Sequence, residues 1–359
     1  MKLRPILLGI KAFFFVLPFL ALGSFVSEMN PLIDFHNRRI NYLRISITDR
    51  CNLRCHYCMP KEGVSQFGHT EILRYEEILR LAELAVKRGI TKIRITGGEP
   101  LVRKGAISLI HQLSHLRGIQ DLSMTTNAIL LEEFAPALFQ AGLKRVNVSM
   151  DSLRPKKYRE ITRGGDLAKV WAGIEAAKQA GISPIKINVV AITGFNDGEV
   201  LEFARLTMKD PYQVRFIEFM PIGVTSEWRP ERYLSSREIK RRIESSSPLI
   251  SLDNGINGHD GPARLFKLPG SVGEIGFISP ISDHFCGACN RLRITADGKL
   301  KTCLFAEEET DLKVLLRSGC TDEELERKLD EAISRKPLRH EAIGGGMKRC
   351  HRPMVKIGG

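Results

Sequence analysis

Tyr42-Leu43-Arg44-Ile45-Ser46-Ile47-Thr48 leads through Asp49-Arg50 into Cys51-Asn52-Leu53-Arg54-Cys55-His56-Tyr57-Cys58. The first seven residues read as a strand that stops just before the cysteines. Three thiols then fall within eight residues at a spacing of C-x3-C-x2-C. A structural zinc site usually takes two cysteines from one knuckle and completes its tetrahedron with a second knuckle elsewhere. Three thiols this close suit a [4Fe–4S] cube better, because a single loop can then reach three of its corners. One iron would keep no local protein ligand, and an open metal position is where a substrate or cofactor binds. Zinc and chance clustering are the alternatives to a redox cluster.

Outward from this stretch, short apolar strands alternate with amphipathic helices. Helical spacing runs over Tyr75–Arg88, with apolar Ile78, Leu81, Ala82 and Ala85 on one face. Lys92–Thr96 is the next strand, followed by Gly97-Gly98-Glu99-Pro100. Ile107–Leu116, Glu132–Ala141, Leu167–Ala180 and Glu199–Met208 read as helices, and Asp121–Thr126, Arg145–Met150, Ile185–Ala191 and Gln213–Phe219 as strands. Strict alternation implies parallel strands joined by right-handed helical crossovers. The expected fold is α/β: an incomplete (β/α)6 TIM-like barrel with its site at the C-terminal ends of the strands. A doubly wound open sheet is the alternative, weakened because no G-x-G-x-x-G opens the first helix. The alternation breaks down after Ser235, so a domain change is expected near residues 235–250. The expected units are an N-terminal extension over 1–28, the partial barrel over 29–240, an α+β extension over 241–345 and a C-terminal tail over 346–359.

With 359 residues, 43% of them hydrophobic and 26% charged, the chain can bury a full core. Its formal charge of +13 points to anionic partners. No aromatic-basic interleaving or nucleic-acid motif is present, which favours a polyphosphate ligand over nucleic acid. Eight cysteines in a chain of this length make no disulfide scaffold, and six of them fall into two close groups. That usage argues for metal and a reducing compartment, hence a cytoplasmic location. The first 28 residues do not match the rest: Lys2 and Arg4 precede an apolar run from Ile6 to Val26, interrupted by Lys11 and Pro18. Two readings stand for this run, a membrane anchor or an upstream misassignment of a start at Met29.

A second thiol group, Cys286-Gly287-Ala288-Cys289 with Cys303, has the spacing C-x2-C-x13-C. Alone it fits a zinc ribbon that recruits Cys320 or His284 as readily as it fits a second iron–sulfur cluster. Taken together, the motifs resemble a known family. CNLRCHYC and GGEP resemble the radical S-adenosylmethionine superfamily. LRISITDRCNLRCHYCMP, KIRITGGEPLVRK, ITRGGDL, FIEFMPIG, CGACNRLRITADGKLKTCLF and the terminal Gly358-Gly359 resemble the GTP 3′,8-cyclase family within it, which opens molybdenum cofactor biosynthesis. This resemblance runs from about Leu43 to the last residue.

The resemblance implies that Cys51, Cys55 and Cys58 hold a [4Fe–4S] cluster whose open iron binds S-adenosylmethionine, the source of an adenosyl radical. It places Tyr57, Gly98, Ser149 and Met220 against S-adenosylmethionine. Cys286, Cys289 and Cys303 would hold a second [4Fe–4S] cluster that ligates the guanine of GTP. Arg44, Arg94, Thr125, Lys186, Arg291, Leu292 and Arg293 match GTP-binding positions, and Arg291, Arg293, Gly358 and Gly359 the catalytic ones. Each has an ordinary alternative: a turn glycine at Gly98, a core methionine at Met220, a surface charge for any single Arg, a frayed terminus for the glycines. Arg44 and Lys186 resist that alternative, because they interrupt strands expected to be buried and a buried cation needs an anion.

The implied product is (8S)-3′,8-cyclo-7,8-dihydroguanosine 5′-triphosphate. It would pass to cyclic pyranopterin monophosphate synthase, with a flavodoxin or ferredoxin as electron donor, no nucleic acid, and a homodimer as an open alternative to a monomer. The chain departs from the family pattern at Ala128, where glycine is expected and the turn should therefore adopt φ < 0 or differ, and at Val355-Lys356. Cys320 and Cys350 match no cluster position and read as incidental or buried thiols. The rival functions are a peptide-maturing enzyme of the same superfamily and a zinc-dependent nucleic-acid-binding protein.

Overall fold

The computed structural model describes residues 31–223, 227–252, 261–340 and 350–358. The apolar run over residues 6–26, the Met29 start and the terminal Gly359 lie outside the described residues. Among those described, no helix is long and apolar enough to cross a membrane.

Six strands follow one another in space as in sequence: β1 (Tyr42–Ser46), β2 (Lys92–Thr96), β3 (Asp121–Thr126), β4 (Arg145–Ser149), β5 (Ile185–Ala191) and β6 (Gln213–Glu218). All five pairings are parallel. No strand order reverses within this run, so the doubly wound alternative fails; a switch point would require one. Helices α1 (Tyr75–Lys87), α2 (Ala106–Ser114), α3 (Leu131–Gln140), α4 (Pro155–Thr162), α5 (Leu167–Gln179) and α6 (Val200–Arg205) make the crossovers. On α1 the expected stripe of Ile78, Leu81, Ala82 and Ala85 is buried against the sheet. Fully burying one such leucine or isoleucine contributes about 1.5–3 kcal/mol, and it is this stripe rather than helix propensity that fixes the helix.

Later elements are α7 (Ser236–Glu244), β7 (Ile250–Ser251), β8 (Arg264–Lys267), β9 (Glu274–Ile278), β10 (Arg291–Ile294), β11 (Lys299–Lys301), β12 (Thr310–Asp311), α8 (Leu312–Arg317), α9 (Asp322–Ser334) and α10 (Met354–Ile357). They do not stand apart from the barrel. Strand β9 adds in parallel to β6 at one edge, and β10 adds in parallel to β1 at the other. The sheet order is β12-β11-β10-β1-β2-β3-β4-β5-β6-β9-β8-β7, an open arc in which β9 and β10 do not pair. The segments that carry the second thiol group are thereby brought beside the first strand.

Period-two alternation gives the arc two different faces. Leu43 and Ile45, Ile93 and Ile95, Val146 and Val148, Ile187 and Val189, and Leu292 and Ile294 belong to the buried apolar core. Their neighbours along each strand, Arg44, Arg94, Asn147, Asn188 and Arg293, take the opposite face. A closed TIM barrel fills its interior with branched apolar side chains. Here the interior is a polar wall, which is the first structural sign that it holds a ligand.

Candidate active site

The first cysteine loop is pressed between two backbones. Gly98 donates its N–H to the Thr48 carbonyl at 2.6 Å, and Glu99 donates to that of Arg50 at 2.8 Å. A Cβ at Gly98 would lie 2.3 Å from the Arg50 oxygen, and one at Gly97 would lie 2.8 Å from that of Thr48. Close approach to the cysteine loop therefore demands both glycines. On the other side, Arg54 N and His56 N donate to the Thr162 and Ile161 carbonyls, each at 3.0 Å, at the end of α4. Arg163 adds Nη1 bonds to the carbonyls of Arg54 (3.0 Å) and Met59 (2.8 Å). The ITRGGDL segment is thus a clamp on the cysteine loop. Sequence periodicity did not reveal α4, because its buried Tyr158 and Ile161 are embedded in a strongly charged stretch.

Buried Glu99 faces away from the cavity. It accepts from Leu101 N (3.2 Å), Thr126 Oγ1 (2.8 Å) and Asn127 N (2.7 Å). Burial pushes its carboxyl up to about 7 against the pull of these donors. Asn127 in turn reaches Asn52 Oδ1 at 2.7 Å, which links the GGEP turn to the cysteine loop through the end of β3. Ala128 follows with φ +62. The expectation of φ < 0 there is wrong: alanine keeps the left-handed turn, because Thr126 Oγ1 accepts from its N–H at 3.0 Å and Asn127 Oδ1 accepts from Ile129 N at 3.0 Å. Those two bonds offset a strain of about 1 kcal/mol or more.

Burial raises all three thiols of the first group, Cys51 to about 11, and repulsion from neighbouring thiols adds to it at Cys55 and Cys58. Tyr57 donates its hydroxyl to Asp151 at 2.6 Å, and burial pushes Asp151 up to about 6. Tyr57, Gly98, Ser149 and Met220 all line the cavity that contains Cys51, Cys55 and Cys58.

Cys286, Cys289 and Cys303 line the same cavity, as do Arg44, Arg94, Arg291, Arg293 and Thr125. Its empty volume is about 1940 Å³, part of it open to solvent. Across the sheet the register aligns Arg293, Arg44 and Arg94 on β10, β1 and β2, with Arg291 opposite Tyr42 one step below. Burial, then repulsion by Arg291, brings Arg293 down to about 10, and Arg44 and Arg94 are also lowered, mainly by burial. Burial would raise Cys289, but Arg291 and Lys336 beside it bring its thiol down to about 6.

Sequence reasoning missed Arg215, which reaches the same wall from β6. Its Nε donates to Asn188 Oδ1 at 3.0 Å, its Nη2 bonds Asn147 Oδ1, and no carboxylate pairs with it among the described residues. Lys186 does not line the cavity; it lies two residues earlier on the face of β5 that carries Asn188, pushed down to about 6 by burial and by Arg215. Leu292 turns its side chain into the core, which leaves only its backbone toward the site.

Gly358 is docked within the arc. With φ +89, it sits where a Cβ would lie 2.6 Å from Ser46 Cβ and 2.7 Å from Thr96 Oγ1. Helix α10 buries Val355 and Ile357, and Lys356 places its ammonium 4.3 Å from the Phe67 ring centroid, so the departures at 355–356 are accommodated. Cys350 packs with Ile222 and Ile357, and Cys320 lies at the margin of the main core.

All eight cysteines are free thiols. Among the described residues, no three His, Cys, Asp or Glu side chains converge on a point for one metal ion. Cubane thiolates each bind a different iron, so triads spread around a cavity are compatible with clusters. Tyr42 Oη, Thr125 Oγ1 and His340 Nδ1 are buried cavity-wall atoms without a hydrogen-bond partner. Orphaned polar atoms beside a row of buried arginines fit a polar, anionic occupant.

The chain is similar to known proteins over most of its length. Residues 45–207 match the radical SAM superfamily model, and residues 212–342 match Molybdenum Cofactor Synthesis C. A GTP 3′,8-cyclase from Thermodesulfovibrio yellowstonii is 52% identical over 91% of this chain and 99% of its own length. One from Alkaliphilus metalliredigens is 49% identical over the same shares. In fold, the chain is similar to Streptococcus suis SuiB crystallised with S-adenosylmethionine, with a TM-score of 0.57, 15% identity, and coverage of 84% of this chain and 69% of that one. The chain belongs to the GTP 3′,8-cyclase family of the radical S-adenosylmethionine superfamily.

Proposed function

We propose that the cavity is the site where this enzyme converts GTP into (8S)-3′,8-cyclo-7,8-dihydroguanosine 5′-triphosphate, opening molybdenum cofactor biosynthesis. The observation that carries the reading is the meeting of both cysteine triads and the Arg44–Arg94–Arg293 row in one cavity. Cys51, Cys55 and Cys58 would hold the [4Fe–4S] cluster that binds S-adenosylmethionine, and Cys286, Cys289 and Cys303 a second one facing the guanine. When bound, the first cluster and S-adenosylmethionine supply the one-electron chemistry that breaks a ribose C–H bond.

The chain's own residues supply position and charge. Tyr57, Gly98, Ser149 and Met220 form the wall beside the first triad and would orient S-adenosylmethionine. Arg44, Arg94, Arg291 and Arg293 would neutralise the triphosphate, where paired guanidinium donors match phosphate oxygens. Thr125 Oγ1 has an unused hydroxyl for the same ligand. Lys186 would act through the field behind the wall, and Leu292 through its backbone. Docked Gly358 excludes side chains and water from the space beside Ser46 and Thr96, which protects a reactive carbon centre. Gly359 would act with it, as the family resemblance implies. A flavodoxin or ferredoxin would deliver electrons, and cyclic pyranopterin monophosphate synthase would take the product. The units 29–240, 241–345 and 346–359 would divide these tasks into radical generation, substrate choice and closure.

The test is anaerobic incubation of the reconstituted protein with GTP, S-adenosylmethionine and dithionite. The expected result is 5′-deoxyadenosine formed only with GTP, from protein that holds about eight irons in two cubanes. Formation of 5′-deoxyadenosine with a peptide and not with GTP would overturn the substrate, and stoichiometric zinc would overturn the clusters.

A further inference from the structure

We propose that Lys336 is, beside Arg291, a built-in counter-cation of the second cluster, a positioning residue that holds Cys289 and favours the reduced cluster. This rests on the reading of Cys286, Cys289 and Cys303 as cluster ligands.

Lys336 is 2% exposed, two residues past the end of α9. Its ammonium lies 3.6 Å from Cys289 Sγ and 3.0 Å from the Arg291 carbonyl, and it also donates to the Thr302 carbonyl. Three N–H groups therefore meet three acceptors, one on a thiol ligand, one just past it, and one just before Cys303. No carboxylate pairs with Lys336 among the described residues. A buried cation requires compensating negative charge. The groups placed to supply it are the cysteine sulfurs.

The segment that presents the ammonium is fixed from behind. Arg38 donates to the carbonyls of Pro337 at 2.8 Å, Leu338 at 3.1 Å and Cys286 at 2.7 Å. Asp34 Oδ2 accepts from Arg38 Nε at 2.5 Å and orients the guanidinium. Residues 336–338 thus touch all three ligand segments: Cys286 through Arg38, Cys289 through Lys336, and Cys303 through the Thr302 carbonyl. A cluster with three thiolates gains a negative charge on reduction. A cation in hydrogen-bond contact with one ligand sulfur stabilises that reduced state more than the oxidised one. A lysine that merely stitched two carbonyls together would leave the potential alone.

The experiment uses the full chain carrying Cys51→Ala, Cys55→Ala and Cys58→Ala, so that only the second cluster is reconstituted. Its midpoint potential is measured by redox titration followed by electron paramagnetic resonance, in this parent and with Lys336→Gln or Lys336→Arg added. Lys336→Gln is expected to shift the midpoint negative by about 59 mV or more, a tenfold change in the reduced-to-oxidised ratio. Lys336→Arg, which keeps the charge, is expected to stay close to the parent. Loss of iron with Gln but not with Arg supports the same role through the hold on Cys289. Retained iron with an unchanged midpoint in Lys336→Gln overturns the proposal, as does equal loss of iron from both variants. A parent that binds no cluster removes the second-cluster reading and this proposal together; a loaded parent with insensitive variants removes this proposal alone.

Discussion

Arg293 Nη1 donates to the Gly358 carbonyl at 2.9 Å, so the last described residue of the chain is tied to the arginine row of the cavity. Gly358 has φ +89, and a Cβ there would meet Ser46 Cβ at 2.6 Å and Thr96 Oγ1 at 2.7 Å. Gly358→Ala is therefore expected to undock α10 while leaving both cysteine loops intact. Cyclisation should fall at least about tenfold, equivalent to about 1.4 kcal/mol in the barrier. Iron content should not change. Product formation against iron per chain checks this, and full turnover in the variant refutes it.

Lys186 gives a proton-linkage prediction. Its folded value of about 6 lies below the ordinary 10.5, chiefly through burial and then Arg215. The folded protein thus binds fewer protons than the unfolded chain between those values. The Lys186 contribution to stability rises with pH across that window, and its penalty is complete below about 6. A polyphosphate on Arg94 and Arg215 would cancel the repulsion and raise the amine again. GTP binding near pH 7.5 should then take up as much as about one proton. Calorimetry in buffers of different ionisation enthalpy measures that uptake. Lys186→Met should lower it, and uptake unchanged in that variant refutes the linkage.

Gly98 separates two roles that the motif alone leaves mixed. The Cβ of Gly98→Ala would lie 2.3 Å from the Arg50 carbonyl oxygen, a backbone atom that no rotamer change can move. Forced overpacking of this kind costs about 1–3 kcal/mol or more. The reconstituted variant should therefore fall from about eight irons per chain to about four, with the second site still filled. Weakened S-adenosylmethionine binding with full iron would show instead that Gly98 matters only as a ligand contact.

The parallel barrel was legible because β1 to β6 each carry an apolar face and are separated by helices of clear period. Arg44 and Lys186 were legible as charges inside buried strands. Arg215 follows the same rule in the strand Gln213–Glu218 and could have been found by it. The β9 and β10 additions were not legible, because strands of five and four residues in a Gly- and Pro-rich stretch say nothing about which edge they join. Lys336 and Arg38 gave no signal either. A lysine that follows a polar helix looks like a surface charge until the fold buries it.

Arg94 offers a test whose two readouts should move in opposite directions. Its Nε bonds Ser123 Oγ at 3.2 Å, its guanidinium lies 5.4 Å from the Tyr42 ring centroid, and burial holds its pKa below the usual value. In the ligand-free protein this is a buried cation, disfavoured chiefly by burial and then by repulsion from Arg145 and Arg291. Replacement of buried charge by an apolar side chain of similar volume is often neutral or stabilising, by up to about 4 kcal/mol. Arg94→Met should thus leave the ligand-free protein as stable as before or more so in urea. The same change would remove the proposed phosphate donor, and charge-assisted hydrogen bonds contribute about 1.5–3 kcal/mol each. GTP affinity should fall about tenfold to a hundredfold, as read by equilibrium binding to the protein without S-adenosylmethionine. A structural arginine would give the reverse: lower urea stability with GTP affinity kept. Loss of both would mean that the wall collapses without Arg94, and the charge argument would then fail for the whole row.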